Sequence, residues 1–215
     1  MTNQNNLKTP TILRTLGRLK VLLAVWILLL TASFAPARAA EMPPDVARTN
    51  YLANMMACAV QGDVKAGQQY EALRHEKIEK YDLAYPKIQF QDMYLVAKII
   101  EAEAGSAWLP DEWQLMVGNV LLNRVESPEF PDSIEACVYQ TGQYYGKNNK
   151  YFERLTPSAR AVKHAVMLLE GLRVCPKDVV FQAEFKQGSG VYRAFVDQRL
   201  GTTYFCFSSN RGLYG

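Results

Sequence analysis

Val96, Ile99 and Ile100 stand three and four residues apart and mark one face of an α-helix predicted from about Gln91 to Ala104. Similar spacing at Val117, Val120 and Leu121 predicts a second helix. Asp111 and Gln114 form its capping-box variant, and it ends near Val125. Asp132 with Glu135 repeats the cap signature for a short helix through Tyr139. Thr156-Pro157 opens a further helix, which Gly171 stops. Upstream, residues 45–81 are polar and helix-forming, interrupted at Gln61-Gly62-Asp63, and Tyr85-Pro86 breaks the pattern. Beyond Pro176 the texture changes. VVFQAEF, VYRAFV and TTYFCFS are β-branched and aromatic, set between Gly-rich turns, and predict three strands. Helices followed by a small antiparallel sheet near the C-terminus make an α+β, mainly helical fold.

One position breaks the first helical stripe. The next residue on the face of Val96, Ile99 and Ile100 is Glu103, two residues before Gly105. A carboxyl group on a buried stripe loses hydration, and at a helix C-terminus it also meets the negative end of the dipole. Both effects raise its pKa, and a carboxylic acid that stays protonated near neutral pH can donate to a leaving group. Glu101 points to another face beside Lys98 and reads as a solvated residue.

Charge and cysteine usage set the compartment. Lys8, Arg14, Arg18 and Lys20 precede an uncharged run from Val21 to Ala35, followed by Ala37-Arg38-Ala39. That order is a secretory signal over residues 1–39, so the protein is expected to be secreted or in the cell envelope, meeting a membrane only through this segment. The run is shorter than the roughly 20 residues that span a bilayer. The leader holds five of the basic residues and no acidic one. The remainder therefore has 19 Lys/Arg against 21 Asp/Glu, and the formal +3 of the whole chain gives no support for nucleic-acid binding. Cys58, Cys137, Cys175 and Cys206 are an even set that an exporting compartment would allow to pair. The chain divides into the leader, a helical arm over 40–85 and a compact domain over 86–215.

LVAKIIEAEAGS, GNVLLNRVESPEFPDSI and VYQTGQYY together resemble the catalytic domain of the SleB-type cell-wall hydrolases, the family of spore cortex-lytic enzymes. The resemblance covers about residues 93–206, with the LLNRVxSPxFP block as its most specific part. It implies a lysozyme-like fold and cleavage of the peptidoglycan glycan strand, usually as a lytic transglycosylase. It also makes Glu103, in Ala102-Glu103-Ala104, the catalytic residue. Two family features are missing: Ser106-Ala107-Trp108 stands where a second Glu often follows the glycine, and Gly201-Thr202-Thr203-Tyr204-Phe205 lacks a common histidine. The resemblance favours Cys137–Cys175 as a disulfide.

A transglycosylase needs one carboxyl group, which donates a proton to the glycosidic oxygen and then accepts one from the C6 hydroxyl of muramic acid. A hydrolytic muramidase would use a second, with Asp111, Glu112 and Asp132 to choose from. The cleft is expected along residues 142–152, GQYYGKNNKYF, since aromatic rings and amides suit sugars. Gln143, Tyr144, Gln182 and Asn123 are the expected substrate-binding residues; Asn123-Arg124 could equally tie the helix to the next turn. No metal and no cofactor are expected. A zinc amidase needs about three clustered ligands, while the chain has only His75 and His164, in no metal spacing. The residues also allow a Cys137–His164 peptidase or a non-catalytic wall-binding protein.

Overall fold

The computed structural model describes residues 44–145 and 149–215; the expected leader and residues 146–148 of the expected cleft lie outside the described residues. Seven helices are followed by three strands: α1 Pro44–Gln61, α2 Val64–Lys80, α3 Phe90–Ala104, α4 Asp111–Val125, α5 Ile134–Val138, α6 Lys150–Arg154, α7 Ala159–Leu169, β1 Val179–Ala183, β2 Val191–Asp197 and β3 Gly201–Phe207. A 3-10 turn, Arg211–Tyr214, comes last. The α+β class holds. Among the described residues no helix is long and apolar enough to cross a membrane.

The hub is α3. Leu95, Val96, Ala97, Ile99 and Ile100 are all buried, so apolar contact surrounds the helix rather than following one stripe. Helices α1, α2, α4, α5 and α7 pack around it. Gly118 sets how closely α4 and α7 approach: a Cβ there would sit 2.5 Å from Leu168 Cδ1 and 2.9 Å from Ile100 Cδ1. Lys98 is also inside, with its ammonium over the rings of Phe152 (4.5 Å) and Tyr94 (5.3 Å).

Helices α1 and α2, expected as an arm, instead belong to one compact unit running from Pro44 to Gly215. Met55 and Ala59 join the core, and Phe90 lies over Gly67. Glu71 accepts the backbone N–H of Phe90 at 2.7 Å, capping α3 where Gln89 offers no side-chain cap. The expected break falls as read, with Gly62 at φ +71° and Asp63 capping α2.

Three cap assignments move. Pro110, not Asp111, is the N-cap of α4, and Asp111 instead pairs with Arg160 Nε at 2.7 Å. Ser133 rather than Asp132 caps α5, and Ser158 rather than Thr156 caps α7. In each case a hydroxyl or a fixed proline φ stood beside the residue chosen, and spacing alone does not separate neighbours.

The sheet is antiparallel in the order β1-β3-β2. Gln182 faces Phe205, which faces Arg193 on its other side, so these three share one face. The LLNRVxSPxFP block fastens this sheet to α4. Asn123 Nδ2 donates to the carbonyls of Pro176 (2.8 Å) and Val179 (2.9 Å), and Arg124 Nε to Val180 (2.7 Å). Glu129 accepts from Ser208, Asn210 and Tyr214, holding the C-terminal turn.

All four cysteines are free thiols, and the expected Cys137–Cys175 bridge is not formed. Cys137 Sγ donates to the Pro131 carbonyl at 3.0 Å, and Asn123 Nδ2 meets Cys175 Sγ at 3.5 Å. Cys58, Cys137 and Cys206 are packed separately as small apolar side chains.

Candidate active site

Glu103 sits on the last turn of α3, partly open to solvent. Two donors meet its carboxylate: Gln182 Nε2 from β1, at 3.0 Å from Oε2, and the hydroxyl of Tyr145. Tyr145 is aimed by Phe152, the buried ring of α6, which stacks on it at 4.8 Å with planes 4° apart. Behind them Arg124 lies between the rings of Phe130 (5.1 Å) and Tyr144 (4.7 Å).

The surroundings of Glu103 raise its pKa. Loss of hydration pushes the Glu103 pKa up; the bonds from Tyr145 and Gln182, and then the Arg124 charge, pull it partly back, and burial wins. Among the described residues, the charged side chain that acts on Glu103 is this arginine, and no carboxylate does. Burial, reinforced by Glu103, pushes the Tyr145 phenol up as well, which keeps it a donor. Tyr144 is pushed up to about 12, chiefly by burial. Its hydroxyl and Gln182 Oε1 are buried polar atoms without a hydrogen-bond partner among the described residues.

The end of α3 is braced from two sides. Gln114 Nε2 donates to the Ala104 carbonyl at 2.9 Å, while its Oε1 accepts from His164 Nδ1 at 2.8 Å. That bond puts a proton on Nδ1, and burial lowers the His164 pKa, partly offset by Asp111 at 3.5 Å from Nε2. Glu101 is not the solvated residue expected. Its Oε2 accepts both the backbone N–H (3.0 Å) and the hydroxyl (2.6 Å) of Ser158, which anchors the N-terminus of α7.

Of the residues expected at the site, Glu103 and Gln182 are in direct contact, and Tyr144 lies close behind. Gln143 is exposed in the turn, where its backbone N–H donates to Gln140. Asn123 is only 1% exposed and its amide is fully engaged, its Oδ1 accepting from Asn119, so it is part of the scaffold and not a sugar ligand. Tyr145 was missed, although it follows Tyr144 in the expected cleft; nothing in a Tyr-Tyr pair says which ring faces the acid. No group of three His, Cys, Asp or Glu side chains among the described residues is placed to hold a metal ion.

Residues 109–205 match the family model described as Cell Wall Hydrolase. This segment belongs to the SleB-like cell-wall hydrolases. The match supports a peptidoglycan-degrading cell-wall hydrolase in general. The matched hydrolase segment starts beyond Glu103 but includes Arg124, Tyr144, Tyr145 and Gln182, the residues gathered around that carboxyl group. No curated protein and no solved structure matches the chain.

Proposed function

We propose that this hydrolase cuts the glycan strand of peptidoglycan between N-acetylmuramic acid and N-acetylglucosamine as a lytic transglycosylase, with Glu103 as the catalytic group. The observation that carries the reading is a carboxyl group with a raised pKa, held by two donors and reached by no other carboxylate among the described residues. Protonated Glu103 gives its proton to the glycosidic oxygen as the C1–O bond breaks. The C6 hydroxyl oxygen of the same muramic acid bonds to C1, and its proton passes to the Glu103 carboxylate. The acid is regenerated, the new end is a 1,6-anhydro sugar, and no water is consumed.

Gln182 and Tyr145 hold the carboxylate between the two proton transfers, and the Arg124 charge steadies it while ionised. Tyr144 and Gln182, beside the acid, are the proposed sugar-binding residues. The geometry of the other acids supports a single-carboxyl mechanism over a muramidase. Glu101 is committed to Ser158, Asp111 to Arg160, and Glu112 to Arg193 at 2.7 Å. Residues 1–39 serve as the export leader that delivers the enzyme to the wall. Incubating purified sacculi with the wild type and with Glu103→Gln tests the assignment: glycan cleavage is expected to vanish in the variant, and a wild-type rate would remove Glu103 from the mechanism.

A further inference from the structure

Trp108 is more than half exposed (53%), yet its indole is held at two points. Its Nε1 donates to Asp197 Oδ2 at 3.1 Å, and the Arg199 guanidinium stacks on the ring at 4.8 Å from the centroid. Asp197 is itself fixed, because Oδ1 accepts the backbone N–H groups of Arg199 (2.9 Å) and Leu200 (3.0 Å) in the β2–β3 turn. The following residue, Leu109, is buried in the core and anchors the loop from below. A large apolar ring kept in water and prevented from folding back onto the core gains little stability from its position.

The place of this ring relative to the acid is set by the sheet. Gln182, which holds Glu103, stands two strands across from Arg193, and Asp197, which holds Trp108, lies four residues further along β2 on the same face. At ordinary strand spacing and rise the two anchors are about 16 Å apart. The loop Gly105-Ser106-Ala107 joins Glu103 to Trp108 and is turned, the Leu109 N–H donating to the Ser106 carbonyl at 3.0 Å. The ring is therefore anchored further along the sheet than the acid. It can meet a sugar further along the same strand, because a pyranose ring offers an apolar face that stacks on indole.

We infer that Trp108, clamped by Asp197 and Arg199, is a distal subsite that stacks a sugar ring of the glycan strand away from the scissile bond and so makes the enzyme prefer long strands. The inference rests on the glycan-cutting assignment for its choice of ligand.

The test is calorimetric titration of the full chain carrying Glu103→Gln with soluble peptidoglycan glycan fragments of one and of three disaccharide units. The protein with Trp108 intact is expected to bind the longer fragment more tightly, and adding Trp108→Ala is expected to cut that gain about tenfold while leaving the short fragment alone. Arg199→Ala, on an exposed turn, serves as the second variant and lowers the gain in the same direction. An unchanged gain in Trp108→Ala, no gain with length in the Trp108 protein, or equal weakening for both fragments would each overturn the subsite. Failure of the cutting assignment shows differently, as digestion of sacculi that persists in Glu103→Gln.

Discussion

At the residue scale the chemistry turns on why a carboxyl group is tolerated at position 103. Burial raises its pKa, so between the ordinary carboxylate value and the raised one the folded state binds more protons than the unfolded chain. Stability from this site is complete below the unfolded pKa and is lost as pH rises through the folded one. Glu103→Gln, which keeps the shape without the charge, is therefore expected to melt at a higher temperature than wild type at neutral pH. The difference should close at pH values below the ordinary carboxylate range. Thermal melts across pH check this, and a variant that melts lower at neutral pH would contradict it. Catalysis has the same sign, falling on the alkaline side as Glu103 ionises. Glu101, two residues away, has a structural role instead. Glu101→Ala frees the cap of α7 and should cost about 1–2 kcal/mol in denaturant unfolding without moving the alkaline limb of the pH profile.

At the element scale the question is what holds the end of α3 still. Gln114 reaches from α4 to the Ala104 carbonyl and from there to His164 on α7, linking three helices through one buried amide. Gln114→Leu removes both bonds and strands two polar groups, and is predicted to cost about 1–3 kcal/mol in chemical denaturation. A loss below a few tenths would mean the strut is replaceable. The helices and strands themselves were legible because their periods are strong: Val96, Ile99 and Ile100 for α3, and the β-branched and aromatic runs for the three strands. Caps were not, since Pro110, Ser133 and Ser158 each lie within two positions of the residue that spacing suggested. Glu103 was legible as an apolar position filled by an acid, and Gln182 as an amide on the first strand. Tyr145 was hidden because its direction depends on stacking with Phe152, a contact that no local pattern records.

At the scale of the whole molecule, α1 and α2 belong to the compact unit that carries Glu103, for Glu71 caps the helix on which it stands and Met55 joins the core. A polar helical pair reads as an arm in sequence because much of its surface faces water; the few buried positions that dock it are spread over both helices. The cysteines, an even set in the sequence, are all free thiols here, three of them buried. Thiol counting on unfolded, unreduced protein is expected to find four free groups, and fewer than four would show a bridge. The most direct measurement of the central claim is mass spectrometry of the strand ends released from purified sacculi by wild type and by Glu103→Gln. A single-carboxyl transglycosylase leaves 1,6-anhydromuramic ends, lighter by one water than reducing ends, and the variant leaves none. Reducing sugar ends from the wild type, or cleaved amide bonds with intact glycan strands, would contradict the account.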